Sequence, residues 1–435
     1  MLLQQPMTGS CNTGFIQRLP WWRRVSAWIR HPSLLSWCAV ATIASALDAR
    51  QPPQAPPSSP LTLQAAFSLA DAHNPTLTAA RLGRAVDLAG VGVARQRLNP
   101  EVSFEAARDT PHEVLSLAFP LELGGKRAHR IDLANATLAR TAADLAVQTL
   151  EIRRAVRLAY YELVAADAQV QITSELRSLA ERTRNAAHDR FESGAAPRLE
   201  ALQADLALAQ ADNEQEAARG RQAAARTSLN TAIGRAPESA AEPSDPFDTG
   251  TIPSDPAAII AAGPDVTALD REIDEAVARE RLALAMRTPD PTVSGGALFD
   301  AQPEFTYGWR AGVAVAIPVF TRHNAEVQVE TARVAQLRAQ REARLAMLVG
   351  EALAAATRAQ AARRQYLRYR DEIVPQLTAI ESMAEDSYRS GQTNLTAFLQ
   401  ALLAARELRL RATEAGLAYQ AAFADLERAL GGPIP

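Results

Sequence analysis

Cysteine is nearly absent from this chain of 435 residues, and both copies, Cys11 and Cys38, fall in its first forty positions. The body that follows can therefore hold neither a disulfide framework nor a thiolate metal site. Lysine is scarcer still: Lys126 is the only one, and arginine supplies the rest of the 46 basic residues. A net charge of −3 gives no basic footprint for nucleic acid. The charges are interspersed along helical stretches, as on solvated or interhelical faces. Beyond the leader no apolar run approaches the ~20 residues that a membrane-spanning helix needs. Catalytic sets are missing too. Gly90-Val91-Gly92 lies inside a helical stretch with no strand before it, and Gly124-Gly125-Lys126 lacks the earlier glycine and the Ser/Thr of a phosphate loop. His73, His112, His129, His188 and His323 include no pair at the spacing H-x-x-x-H. The expectation is a protein without enzymatic activity, cofactor or resident metal.

The N-terminus has the form of an export signal. Arg18, Arg23, Arg24 and Arg30 precede an apolar run from Leu34 to Leu47, and Ala44-Ser45-Ala46 is a small-x-small exit. The run is too short for a bilayer-spanning helix, so residues 1–49 are expected to be a signal peptide. Trp37 before Cys38 is too bulky for a lipidation site. Residues 50–60 are expected to form a proline-rich linker.

What fills the rest is a duplication. His73-Asn74-Pro75 returns as Ala262-Gly263-Pro264, Pro100-Glu101-Val102-Ser103 as Pro291-Thr292-Val293-Ser294, and Phe119-Pro120 as Ile317-Pro318. Asp189-Arg190-Phe191-Glu192-Ser193-Gly194 returns as Asp386-Ser387-Tyr388-Arg389-Ser390-Gly391, and Leu229 to Gly234 returns as Leu426 to Gly431. A first repeat over residues 61–234 and a second over 257–431 are expected, joined by a linker at 235–256 and followed by a tail at 432–435. Each repeat carries two strand patterns, about 101–107 and 114–122 in the first and about 292–299 and 305–319 in the second. The last is the clearest: Phe305, Tyr307, Trp309, Ala311, Val313, Val315, Ile317 and Val319 alternate with small or polar residues. Phe305, Tyr307 and Trp309 cluster at one end, as an aromatic girdle at a membrane interface would.

The helices are long. Lys126 to Phe191 contains neither proline nor glycine, and Leu138, Ala142, Leu145, Thr149, Ile152, Val156, Ala159, Leu163, Ala166, Val170 and Thr173 keep a 3-4 spacing, which is a heptad seam. A twin helix is expected over Asn324 to Tyr388, and return helices over Pro197 to Ile233 and Leu395 to Leu430. Four strands cannot close a barrel, and open edges in lipid are prohibitively costly. Copies of the chain must share one barrel, and three copies supply twelve strands, an even number within the bacterial range.

This layout resembles the TolC family of outer-membrane channels, on the duplicated helix-strand-strand-helix-helix unit, the Asn74-Pro75 break, Phe119-Pro120, Ile317-Pro318 and the two Ser-Gly turns. The stretch from Pro120 to Arg127 (PLELGGKR) is similar to the strand-to-helix junction of the heavy-metal, CzcC-like branch. The resemblance implies a mostly α protein with a small membrane β part: a homotrimer with a shared 12-stranded barrel, continued by a long coiled-coil α-barrel in the periplasm. It implies the exit duct of a tripartite efflux system, with an inner-membrane RND-type pump, a periplasmic adaptor and outer-membrane lipid as partners and divalent heavy-metal cations as cargo. Multidrug efflux or type I secretion is the alternative within transport, and a pore-less periplasmic coiled-coil scaffold or adaptor is the alternative outside it.

The junction residues Gly124, Gly125, Lys126 and Arg127 are expected to bend the chain from sheet to helix. There Lys126 and Arg127 either meet anionic headgroups or are simply solvated. The Ser-Gly turns are expected at the periplasmic entrance. The positions matching the family's acidic constriction are Ala397 and Gln400, neither of them charged. The corresponding first-half position is Glu200, expected either to face Tyr388, Arg389 or Arg198 across a closed tip or merely to favour the start of its helix.

Overall fold

The computed structural model describes residues 60–109, 111–247, 250, 252–253, 263–300 and 306–432. The leader, residues 50–59, most of the expected linker after 247, the start of the second repeat to residue 262, Phe305 and residues 433–435 lie outside the described residues. In chain order the elements are α1 (Leu63–His73), α2 (Pro75–Ala94), β1 (Glu101–Ala106), β2 (Glu113–Pro120), α3 (Lys126–Glu192) and α4 (Arg198–Ala232). The second half has α5 (Pro264–Ala285), β3 (Pro291–Asp300), β4 (Thr306–Val315), α6 (Asn324–Arg368), a π turn (Tyr369–Ile373), α7 (Val374–Arg389) and α8 (Leu395–Leu430).

The break between α1 and α2 has a local cause. The Asn74 side-chain oxygen accepts from the amides of Thr76 and Leu77, so it caps the new helix, while its amide donates to the Ala232 carbonyl at 2.8 Å. Pro75 then takes the first helical position, where its missing N–H costs nothing. The far end of α4 is locked onto this break. Gly234, with φ +73°, is so close to His73 that a Cβ would lie 2.3 Å from the His73 carbonyl oxygen. The second half repeats the device: Gly431, with φ +83°, packs on Pro264 at the start of α5.

Helix α3 is the spine. Its 67 residues span about 100 Å at 1.5 Å per residue, and it packs against α2, α4, α5 and α8. All eleven heptad-seam residues are buried or half-buried within the single chain. The main core gathers midway along the spine, where Leu61, Phe67, Val156, Tyr160, Tyr161, Leu163, Leu229 and Ile233 meet. The hydroxyl of Tyr160 donates to the Leu61 carbonyl at 2.8 Å and accepts from the amides of Ser244 and Asp245, each at 3.0 Å. Burial there pushes the phenol above its ordinary range. The start of the described chain and the segment joining the halves are thereby tied to the spine.

The four strands form one antiparallel sheet in the order β1-β2-β3-β4. Strand β4 stops at Val315, short of the expected Val319. Its partner β3 begins at Pro291, opposite Val315, so nothing remains for the later residues to pair with, and Pro318 lacks an amide to pair. The second long helix also departs from expectation. In place of one rod over Asn324 to Tyr388 there are two helices separated by the π turn, with Pro375 two residues beyond its end.

Candidate functional site

The register of the sheet sorts its side chains by face. The cross-strand rows Phe104–Leu115–Ala297–Trp309, Val102–Leu117–Gly295–Ala311 and Phe119–Val293–Val313 all point to one side. A further row, Ala106–Glu113–Phe299–Tyr307, closes that side at the loop end, with Glu113 its only charge. The opposite side carries Ser103–Ser116–Gly296–Arg310, Glu101–Ala118–Ser294–Gly312 and Glu105–Val114–Leu298–Gly308. One face is thus a continuous apolar surface and the other is polar and small, with Val114 and Leu298 its large apolar members. Strands β3 and β4, ten residues each, have the length that a tilted membrane strand requires. Tyr307 and Trp309, the two described members of the candidate girdle, are 79% and 83% exposed on the apolar face. Among the described residues, strands β1 and β4 each have one neighbour. Both sheet edges present unpaired backbone groups, which a hydrocarbon setting does not tolerate.

The strand-to-helix junction is built differently from the expectation for its basic residues. Gly124 and Gly125 both take left-handed angles, φ +67° and +73°, and a Cβ on Gly124 would lie 2.7 Å from the Thr288 hydroxyl. Lys126 is only 6% exposed. Its ammonium meets Asp290 at 2.7 Å, and the other Asp290 oxygen accepts from the Leu123 amide at 2.9 Å. Burial would raise the Asp290 carboxyl, but these contacts outweigh it and hold the group below its ordinary range. Arg127 gives Nε and Nη2 to the Arg95 carbonyl. Lys126 is therefore a buried, paired charge and not a solvated one, and the two side chains stitch the first-half junction to the turn before β3 and to the end of α2. Their partners are far away in sequence, which hid them.

At the other end of the spine the two Ser-Gly turns come together. Tyr388 is 1% exposed, stacked on Phe398 at 5.2 Å with 5° between the rings. Its hydroxyl donates to Glu200 Oε1 at 2.8 Å. Arg190, which sequence reasoning missed, lies over the Tyr388 ring, donates to the Tyr388 carbonyl at 3.2 Å and approaches Glu200 at 3.7 Å. Burial, reinforced by the adjacent Glu200 carboxylate, pushes the Tyr388 phenol far above its ordinary range, so it remains a proton donor. Of the partners expected for Glu200, the structure supplies Tyr388 and replaces Arg389 and Arg198 by Arg190. Ala397 and Gln400 are exposed and do not join this cluster; the Ala397 amide is capped by Asn394, and Gln400 lines a cavity of about 310 Å³ among Leu176, Leu206, Leu399 and Leu403. Among the described residues no group of three or more His, Cys, Asp and Glu side chains is arranged to hold a metal ion, and no helix is long and apolar enough to cross a membrane.

Comparison with known proteins agrees with this geometry. Residues 66–235 match the family model described as outer membrane efflux protein. The chain is 27% identical over 381 residues to the cobalt-zinc-cadmium resistance protein CzcC of Cupriavidus metallidurans, covering 86% of this chain and 90% of that protein. Among solved structures, CusC matches with a TM-score of 0.70 at 18% identity, over 85% of this chain and 92% of that one. The Campylobacter jejuni CmeC outer membrane channel matches with a TM-score of 0.70 at 16% identity, over 85% of each chain. On these comparisons the chain is similar over residues 66–235 to outer membrane efflux proteins, and it shares the fold of solved outer membrane channels.

Proposed function

We propose that the chain is the outer-membrane exit duct for divalent heavy-metal cations, working as a homotrimer whose three sheets close one 12-stranded barrel. The observation that carries the duct is the two-faced sheet with two open edges: the apolar rows suit lipid, the polar rows suit a water-filled lumen, and only further copies can satisfy β1 and β4. The cargo rests on two supports, the likeness of the junction from Pro120 to Arg127 to the heavy-metal branch and the relative named for cobalt, zinc and cadmium resistance. Residues 1–49 are the signal peptide and 50–60 the linker. The repeats at 61–234 and 257–431, joined through 235–256, each give the barrel two strands and the periplasmic tube its helices.

An RND-type pump in the inner membrane drives transport, and a periplasmic adaptor couples it to the duct. The chain itself adds no energy. It provides a path that opens when the paired helices untwist at the entrance, and Glu200 and Tyr388 hold that entrance shut. With Ala397 and Gln400 uncharged, cation choice falls to the pump, because a duct that bound its cargo tightly would not release it.

Metal and drug susceptibility of a strain lacking the gene tests this reading. Hypersensitivity to zinc, cobalt and cadmium with unchanged tolerance of dyes and detergents is expected. Hypersensitivity to dyes and detergents alone would turn the assignment to multidrug efflux.

A further inference from the structure

Helix α3 passes from sheet to entrance without a break, but its twin is interrupted once. At the π turn the Val374 amide donates to the carbonyl of Tyr369, five residues back. Pro375 follows. It has no amide to continue the ladder, and in a regular α-helix its ring would strike the carbonyl of Asp371. The wide turn makes room for it. By the offset between Asp189 and Asp386, the α3 residue matching Pro375 is Ser178, which sits in unbroken helix.

The two sides of this turn are held very differently. On the sheet side the Tyr366 ring meets Phe247 at 5.9 Å and stacks on Tyr419 at 6.4 Å. Phe247 in turn stacks on Tyr161 of α3 at 5.7 Å, lies against Gly416 of α8, and has its carbonyl held by Gln420 at 2.6 Å. This aromatic clamp ties α6 to α3 and α8. On the entrance side only Leu377 and Tyr388 of α7 are buried, and nothing is buried in the turn itself. Between them α7 is held by the half-buried Ala384, packed on the Phe398 cluster, and by ion pairs, Glu381 with Arg409 at 2.6 Å and Glu385 with Arg182 at 3.5 Å. Partly exposed pairs of this kind can slide and exchange at small cost.

We infer that the π turn Tyr369–Ile373 with Pro375 is the hinge of the entrance: α7 swings about it as a lever, while the clamp at Phe247 and Tyr366 keeps α6 still. Tyr388 lies thirteen residues beyond Pro375, a lever of about 20 Å. A change of bend of about 20°, the size of an ordinary helix kink, moves its end by about 7 Å, enough to part Tyr388 from Glu200. The inference rests on the reading of Glu200 and Tyr388 as the closed latch, and it locates the motion in the second repeat alone.

Two measurements on the mature protein, which lacks residues 1–49, test it. In planar bilayers Tyr388→Phe releases the latch and raises open probability, and adding Pro375→Ala, which lets the helix run regularly, lowers that open probability by about threefold or more. If Tyr388→Phe opens the channel and Pro375→Ala changes nothing, the hinge is wrong while the latch stands. The second measurement does not depend on the latch. The only native cysteines are Cys11 and Cys38 in the leader, so spin labels can be placed at Asp386→Cys and Glu192→Cys across the entrance, and at Thr357→Cys and Glu162→Cys on the sheet side of the turn. The entrance pair is expected to show the broader distance distribution, narrowed by Pro375→Ala, whatever Tyr388→Phe does to conductance. Equal widths on both sides, or an entrance distribution untouched by Pro375→Ala, overturn the hinge.

Discussion

Helix α3 of the first repeat is a single rod of 67 residues, whereas the second repeat covers the same stretch with α6, a π turn and α7. The difference continues at the entrance. Tyr388 corresponds to Phe191 and Glu200 to Ala397, so the bond between Tyr388 and Glu200 joins one half to the other and has no mirror image. Phe191 and Ala397 have no side-chain polar atoms to exchange, and both are exposed. The junctions diverge as well: α3 starts after Gly125 at φ +73°, and α6 starts after His323, a side-chain-bearing residue at φ +54°. The repeat kept the elements that build sheet and tube, while the residues that decide stiffness and closure separated. With the hinge inferred above, one half is the fixed spine and the other the moving arm.

The largest effect is expected from giving the spine the arm's proline. Ser178→Pro places a proline inside α3, where it removes a helical hydrogen bond and meets the carbonyl of residue 174, and it is expected to cost about 3 kcal/mol or more in thermal unfolding. The reverse change, Pro375→Ala, should leave the unfolding temperature equal or higher. If both variants unfold alike, the two helices do not differ mechanically.

A smaller effect is expected at the latch. Tyr388→Phe leaves the largely buried Glu200 carboxylate without its hydroxyl donor, at a cost of about 1–3 kcal/mol. The mirror change Phe191→Tyr adds a hydroxyl to an exposed ring and should fall within about 0.5 kcal/mol of the parent. Chemical denaturation of both proteins in detergent gives the comparison directly. The smallest change is at the second junction, where His323→Gly removes the side chain from a left-handed position and should stabilise by about 1 kcal/mol. A loss of stability there would mean that the His323 pairing with Glu326 outweighs the backbone strain.

Local sequence signals carried far into this fold. The alternation from Tyr307 to Val315 marked the apolar face, Asn74-Pro75 marked the helix break, and the Ser-Gly repeats marked the turns, because each of these acts through neighbours in the chain. What stayed hidden acts across it. Lys126 looked like a surface charge because its partner Asp290 is 164 residues away. Arg190 gave no signal of its own, since it aligns with Ser387 and its role depends on Tyr388 and Glu200 folding onto it. Pro375 was plain in the sequence, yet the π turn that accommodates it was not, because a helix can also meet a proline with a simple kink. The end of β4 depended on where β3 begins, which no alternation within β4 could state.

In the proposed duct one chain supplies a third of a membrane barrel. Native mass spectrometry of the mature protein, extracted by detergent from the outer-membrane fraction, tests it most directly. A single species at three times the chain mass that inserts as a conducting pore in planar bilayers is predicted. A monomer that stays soluble without detergent and carries no current would contradict it.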